Sequence, residues 1–180
     1  MKQNLLEIHK ELSKLGIEKT VQSHTTLIEY GEMANKLFLI QKGGIVMLHV
    51  HPKTAIERAI NFFIPEFHPI ASIAAPYYLE KPSEYRLKTF TNTTFIEIKK
   101  VDFDTFLKSS DYSEQMMDYG IKSLLEKNEI RAKLISYTSE EMLRYIHEKL
   151  PQILQNIPSK YVANFLGITP QWFSRLKQNL

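Results

Sequence analysis

A stripe of hydrogen-bonding side chains with no acid among them lies close to the C-terminal end of the sequence. At about 100° per residue, Gln171, Ser174, Arg175 and Gln178 fall on one side of a helix. Gln and Arg can form paired hydrogen bonds with the edges of adenine and guanine in the major groove of DNA. The stripe therefore predicts a helix that contacts double-stranded DNA, whereas a face exposed only to water would more often mix Glu with Lys.

Neighbouring side chains extend this candidate contact surface. Lys177 points away from the centre of the stripe and suits a phosphate contact. Trp172 lies where the polar face meets the apolar one, so it either packs with one edge exposed or stacks on a base. The full set of candidate DNA-contacting residues is Thr169, Gln171, Trp172, Ser174, Arg175, Lys177 and Gln178.

The residues before the stripe have the composition of two helices joined by a tight turn. Ser159 can cap a first helix that runs to Leu166, and Gly167 permits the positive φ that such a turn commonly requires. Thr169 is a natural N-cap, and Pro170 suits the first position of the second helix. The pattern predicts a helix-turn-helix. The apolar side chains expected to join its helices are Phe173, Leu176 and Leu180 on the second and Val162, Ala163 and Leu166 on the first.

The basic charge of the chain is concentrated at this end. Residues 149–180 contain Lys149, Lys160, Arg175 and Lys177 and no Asp or Glu, which gives +4. Since the whole chain carries +3, residues 1–148 carry 3 − 4 = −1. This asymmetry is typical of a segment that meets a polyanion, although a small exposed domain with a few solvated lysines would look similar.

The sequence lacks the groups that most enzyme and metal sites require. It has no Cys, which excludes disulfides, thiolate metal sites and a Cys nucleophile. His49 and His51 could share one face of a strand and bind a metal, but no third ligand is visible. No nucleophile elbow, Gly-rich phosphate loop or paired-carboxylate motif appears. We therefore expect no enzyme activity, no metal and no cofactor.

The elements that must position the stripe fall into three zones. Residues 3–15 have helical spacing, and short β-rich runs separated by Gly, Pro and Asn follow from about Leu27 to Ile98. Helical spacing resumes at Lys100 and continues to the end. The prediction is an α+β protein with an antiparallel β-roll or barrel. The expected domains are a sensor domain at residues 1–110 that includes the N-terminal helix, a dimerisation helix at 111–137, and a DNA-binding domain at 138–180. No stretch is apolar enough to span a membrane, so a cytoplasmic location is expected.

The helix predicted from Tyr112 to about Tyr137 has more apolar surface than one neighbour needs. Met117, Ile121, Leu124 and Asn128 form one stripe, and other apolar residues lie beside it. A second copy of the helix would cover the excess, which predicts a homodimer. The alternative is a helix that simply packs on the β-rich zone.

Two segments carry a specific resemblance. The sequence from Ile157 to Leu176 resembles the helix-turn-helix of the Crp/Fnr family of bacterial regulators, especially the branch common in Bacteroidetes, in which a Ser-Arg pair recurs; here this is Ser174-Arg175. Residues 30–46 are similar to the opening strands of a cyclic-nucleotide-binding β-roll. The resemblance implies a β-roll sensor, a long dimerisation helix and a C-terminal DNA-binding domain. It also implies double-stranded DNA, a second copy of the chain, RNA polymerase and an unidentified small-molecule effector as possible partners.

The sequence departs from that family in the segment that would hold a cyclic nucleotide. Nucleotide-binding members carry a Gly-Glu, a short helix and an Arg that pairs with the cyclic phosphate. Residues 67–87 contain no Gly-Glu, and Ser83 occupies the position of the phosphate-binding Arg. Arg86 lies three residues further on and would face the other side of a strand. We therefore expect no response to cyclic nucleotides.

Two further expectations concern the effector and the end of the chain. The region from Phe62 to Leu79 is rich in apolar and aromatic residues, which fits either an ordinary roll core or a pocket for an apolar effector. The residues proposed to line such a pocket are Phe63, Ile70, Tyr77, Ser83 and Tyr85. The sequence ends at Leu180 without the β wing of many family members, so phosphate contacts from a wing are not expected.

The alternative to a transcription regulator is a β-roll effector sensor or protein-interaction module without productive DNA binding.

Overall fold

The β-rich zone forms two four-stranded antiparallel sheets that face each other as a roll, with strand orders β1-β8-β3-β6 and β2-β7-β4-β5. The computed structural model describes residues 2–180, and the side chains of residues 2–6, 75 and 76 are left out of the description. The strands are β1 (Ile17–Val21), β2 (Thr26–Ile28), β3 (Lys36–Lys42), β4 (Ile45–Val50), β5 (Glu57–Phe63), β6 (Ile70–Ala71), β7 (Tyr85–Thr89) and β8 (Thr93–Lys99). Six of them, all but β1 and β6, match the β-rich runs that the sequence predicts at 27–30, 36–41, 44–50, 57–64, 85–90 and 93–98. The predicted α+β class with an antiparallel roll is confirmed.

Helices precede, interrupt and follow the roll. They are α1 (Lys2–Ser13), α2 (Ala74–Leu79), α3 (Lys100–Ser109), α4 (Ser113–Ser136), α5 (Ser139–Lys149), α6 (Pro151–Asn156), α7 (Ser159–Leu166) and α8 (Pro170–Gln178). Thr138 begins α5 with a capping box, because its hydroxyl accepts a hydrogen bond from the Glu141 N–H while the Glu141 carboxylate accepts from the Thr138 N–H. The long helix α4 therefore ends at Ser136, and α5 begins at Ser139. Among the described residues, no helix combines the length and apolar content needed to span a membrane.

Alternation along the strands divides the apolar residues into three clusters. One fills the inside of the roll and includes Phe38, Ile45, Phe63 and Leu87. A second lies outside the β3 and β8 strands, beneath α1, α3 and the beginning of α4. The third begins on the outer face of β4 and β5 and continues without a break through α5, α6, α7 and α8. The roll and the C-terminal helices thus share one hydrophobic core.

Candidate nucleic-acid interface

Helices α7 and α8 form the predicted helix-turn-helix, and local residue chemistry explains both ends of the turn. Gly167 follows α7 with φ +73°, a left-handed conformation that most side chains avoid. Thr169 then caps α8, since its hydroxyl accepts a hydrogen bond from the Trp172 N–H at 3.2 Å, and Pro170 occupies the first turn. The expectation that Ser159 caps α7 was wrong. Pro158 takes the cap position, without a side-chain cap, and Ser159 is the first helical residue.

The apolar faces of the two helices meet largely as predicted. Phe173 and Leu176 of α8 are buried in the same cluster as Val162 and Ala163 of α7, both of which are completely covered. Leu180 differs, because it is 44% exposed. It lies at a shallow groove of about 350 Å³ that also involves α5 and α6. The groove is lined by His147, Pro151, Leu154, Gln155, Lys177 and Leu180.

The opposite face of α8 presents the predicted polar stripe to solvent. Gln171, Arg175 and Gln178 are exposed, and Trp172 is 47% exposed beside them. Ser174 is exposed too, but its hydroxyl donates to the Pro170 carbonyl at 3.0 Å, so its oxygen rather than its proton is available to a partner. Lys177 lies towards the groove. Neither Arg175 nor Lys177 forms an ion pair with a described carboxylate.

An unpredicted contact joins the helix-turn-helix to the roll. The Ala59 N–H of β5 donates to Oδ1 of Asn164 at 2.5 Å, and Nδ2 of Asn164 donates to the Glu57 carbonyl at 3.3 Å. The rings of Phe62 and Phe165 lie 5.4 Å apart beside these bonds. An amide among the apolar residues of α7 was the only sequence signal for this contact.

Helix α4 has two different faces. Met116 and Ile130 are buried against other parts of the chain. The predicted dimerisation stripe faces away, with Met117 68%, Ile121 52% and Leu124 61% exposed. Asn128 is exposed as well. The structure thus leaves the stripe uncovered within one chain.

Polar and charged groups lie where α4 meets the roll. His68 lies in the loop before β6 and is buried, and its Nδ1 is 3.0 Å from the Ser123 hydroxyl. Burial lowers the pKa of His68 to about 3, with a smaller contribution from nearby Lys127. Burial and Arg131 likewise lower the pKa of Lys127 to about 8. The Lys127 Nζ lies 5.1 Å from the centre of the Phe63 ring.

The five candidate effector-pocket residues do not all come together. Phe63 and Tyr85 belong to the cluster inside the roll. Ile70 and Tyr77 belong to the cluster outside the β3 and β8 strands, where the Tyr77 hydroxyl donates to Asp104 at 3.1 Å. Burial, together with Asp104, raises the pKa of Tyr77. Ser83 lies in neither cluster.

The surroundings of Ser83 are those of a structural turn. Its hydroxyl donates to the Tyr85 carbonyl at 2.8 Å and accepts from the Tyr85 N–H at 3.0 Å. Its backbone N–H and carbonyl are bonded to the segment around Gly31 and Glu32. All of its polar groups therefore have partners within the chain. Arg86 faces the outer side of the roll, as predicted, and pairs with Glu29 at 2.6 Å and with Glu57.

The histidines considered as metal ligands have other contacts. The His51 Nδ1 accepts hydrogen bonds from the N–H groups of Lys53 and Thr54, which organise the turn between β4 and β5. The ring of His49 lies 5.6 Å from that of Tyr85. In the part of the chain that the structure describes, no group of three metal-ligating side chains converges.

The architecture is a cyclic-nucleotide-binding-like β-roll followed by a long helix and a helix-turn-helix, and solved structures share it over almost the whole chain. FixK2 from Bradyrhizobium japonicum is similar with a TM-score of 0.74 and 11% identity over 92% of this chain and 84% of its own. The c-di-GMP-responsive global regulator CLP of Xanthomonas campestris gives 0.67 and 13% over 99% and 91%. A cyclic nucleotide-binding domain containing protein from Listeria monocytogenes gives 0.70 and 14% over 98% and 90%. No protein-family model matches the sequence. No curated protein matches it at a significant level either.

Proposed function

We propose that the protein is a sequence-specific, DNA-binding transcription regulator of the Crp/Fnr type. The observation that carries the proposal is the exposed, acid-free stripe on α8. The turn before α8 fixes the residue at which this helix begins. Gln171 and Arg175 would contact base edges in the major groove, and Lys177 would contact a phosphate. The recurring Ser174-Arg175 pair supports the branch of the family common in Bacteroidetes.

The fold and the charge distribution support the same function. The likeness to CLP is a likeness to a protein described as a global regulator that links cell-cell signalling to virulence gene expression. The C-terminal 32 residues have four basic side chains and no acidic one. A polyanion is therefore attracted to the same end of the chain that carries the stripe.

The regulator would act as a two-fold homodimer through the exposed stripe of α4. Met117, Ile121 and Leu124 are exposed apolar residues spaced by four and three positions, as in the seam of paired helices. A dimer reads two half-sites about one helical turn apart, so the expected target is a pseudo-palindrome.

The regulator would not respond to cyclic AMP or cyclic GMP. Ser83 stands where the family places its phosphate-binding Arg, and every polar group of Ser83 has a partner in the chain. A buried cyclic phosphate would lack a charge-assisted partner there. Calorimetry at millimolar nucleotide should detect no saturable heat, and micromolar binding would contradict this interpretation of residues 67–87.

The test of the function begins with selection of DNA fragments by the purified protein. With the selected site, Arg175→Ala should lower cognate affinity by about 1 to 3 kcal/mol and random-sequence affinity far less. Lys177→Ala is the matched comparison. It should weaken both duplexes alike and reduce the salt dependence by about one counterion per subunit.

The outcomes separate three interpretations. Equal weakening of both duplexes by Arg175→Ala would make Arg175 a phosphate anchor and move the base-reading face elsewhere on α8. Failure of the wild-type chain to select any DNA would favour the alternative, a sensor or protein-interaction module that does not bind DNA productively.

A further inference from the structure

The outer edge of β5 is held by the helix-turn-helix. β5 is the edge strand of its sheet, so the Ala59 N–H and the Glu57 carbonyl have no neighbouring strand on that side. The Asn164 amide satisfies both of them, at 2.5 and 3.3 Å. These two groups flank Arg58, and α7 therefore fixes the stretch of backbone that carries Arg58.

Aromatic packing keeps this arrangement in register. The Phe90 and Tyr161 ring centres are 6.1 Å apart, and the Phe62 and Phe165 ring centres are 5.4 Å apart. Phe62, Phe90 and Phe165 are buried in the cluster shared by the roll and the C-terminal helices. A strand held by two side-chain hydrogen bonds and a common core keeps its position relative to α7 and to the turn that follows.

The Arg58 side chain reaches that turn. A Cβ added at Gly167 would collide with the guanidinium of Arg58 and would lie 3.2 Å from its Cζ. Gly167 is two residues from Thr169, which caps α8. The guanidinium therefore lies near the N-terminal end of α8, which is the end that a helix-turn-helix brings to DNA.

Arg58 forms no ion pair within the described part of the chain. No described carboxylate lies within ion-pair distance of it, and the neighbouring Glu57 pairs with Arg86 instead. The side chain is exposed. A planar guanidinium can form two parallel hydrogen bonds with a phosphate.

We propose that Arg58 contacts a phosphate of bound DNA, which makes strand β5 a third element of the DNA-binding surface beside α7 and α8. The inference rests on the proposed function. It assigns part of the binding energy to the sensor roll, in a chain whose C-terminal segment has only four basic residues.

The test compares Arg58→Ala with wild-type protein on labelled cognate and scrambled duplexes at several salt concentrations. Both affinities should fall on the order of tenfold, and the slope of log affinity against log salt should decrease by about 0.9 per subunit. Lys108→Ala is the control. It removes the same charge from an exposed position on α3, which belongs to a different hydrophobic cluster, and it should change neither quantity.

Different results would contradict the Arg58 proposal and the proposed function. Unchanged affinity and slope for Arg58→Ala would overturn the proposal, and so would tighter binding, which would show that Arg58 restrains the helix-turn-helix. A loss confined to the cognate duplex would make Arg58 a base-reading residue instead. If wild-type protein binds no DNA, the proposed function itself fails, and this is visible before any variant is made.

A second variant tests the tie between α7 and β5. Asn164→Ala should expose the Ala59 N–H to faster hydrogen exchange and release β5 from the turn. Combined with Asn164→Ala, the Arg58→Ala change should then cost less than it does alone. A full and additive Arg58 effect in the double variant would show that the tie does not position Arg58.

Discussion

Helices α7 and α4 pack on the same roll in opposite ways. The contact of α7 with β5 is apolar at its centre, and the two hydrogen bonds of Asn164 satisfy backbone groups at its edge. The contact of α4 with the roll contains ionisable groups that are largely buried. Among the described residues, the buried Nε2 of His68 has no hydrogen-bond partner, and burial lowers the pKa of both His68 and Lys127.

The α7 contact is satisfied by groups of the same chain, whereas, in the part of the chain that the structure describes, α4 keeps exposed apolar side chains and a buried polar atom without a partner. Every polar atom of the Asn164 side chain has a partner, and the aromatic rings around it are buried, so nothing more is required to stabilise α7. Helix α4 leaves an apolar stripe in water on one side and a poorly satisfied histidine on the other. We therefore expect association and changes of pH to act mainly on α4, and damage to the shared core to act mainly on α7.

The largest expected effect concerns the exposed side of α4. Leu124→Glu places a carboxylate from each chain in the proposed seam, where burial of an unpaired charge costs several kcal/mol. The dimer should dissociate, which sedimentation would detect as a halved mass, while the fold of each chain is kept because Leu124 is 61% exposed.

The control is Lys122→Glu, two residues away on the same helix. Lys122 is exposed and paired with Asp118, outside the stripe of Met117, Ile121 and Leu124. It should leave the dimer intact. If Leu124→Glu remained dimeric, the dimer seam would lie elsewhere than on the exposed stripe of α4.

The next effect concerns the centre of the α7 contact. Phe165→Ala removes a buried ring from a core that spans roll and helices, and the free energy of unfolding should fall by about 3 to 5 kcal/mol. Because the core is shared, urea should unfold the C-terminal helices and the roll together. Trp172, the single tryptophan, reports on the former, and circular dichroism reports on the whole chain.

Tyr78→Ala supplies the comparison for that experiment. Tyr78 is an exposed aromatic residue whose ring contacts that of Tyr77 edge to face, so its loss should change the unfolding free energy by only about 1 kcal/mol. A Trp172 transition at lower urea than the dichroism transition would show that the helix-turn-helix unfolds alone, and that the α7 contact is weaker than its burial suggests.

How far the sequence predicted these regions depends on how local their causes are. Gly167, Thr169 and Pro170 act within one turn, so the boundaries of α8 and its exposed stripe were predictable. The roll was predictable from the alternation in β3, β4, β5 and β8. Strand β1 was missed because four of its five residues are exposed, and two-residue β6 because it is too short to show a pattern.

Contacts between distant segments had no local cause to reveal them. Asn164 is separated from Ala59 by 105 positions, and nothing in either segment indicates the other. The burial of His68 depends in the same way on the approach of α4. Four of the candidate pocket residues are close in sequence, but the roll places Phe63 and Tyr85 inside and Ile70 and Tyr77 outside.

The smallest expected effect is the pH response of His68, which tests the other side of α4. Its pKa is about 3 in the folded chain and 6.5 in the unfolded chain, so the unfolded state binds more protons between those values. Stability from the neutral ring is therefore complete above pH 6.5 and is lost as pH falls towards 3. At pH 5 the loss is about 2 kcal/mol relative to neutral pH.

The charged groups around His68 determine whether stability falls or rises as the pH is lowered. The Glu126 carboxylate is 3.4 Å from Nε2 and would favour the charged ring, but it is half exposed, and burial raises its own pKa. Desolvation and Lys127 act in the other direction and outweigh it.

His68→Gln keeps a polar group near Ser123 but does not titrate, so wild type should lose about 2 kcal/mol more of its unfolding free energy than the variant between pH 7.5 and 5. Unfolding by urea at the two pH values measures this difference. Equal losses would show that Glu126 balances the burial of the ring, and that the α4 contact is as well satisfied as that of α7.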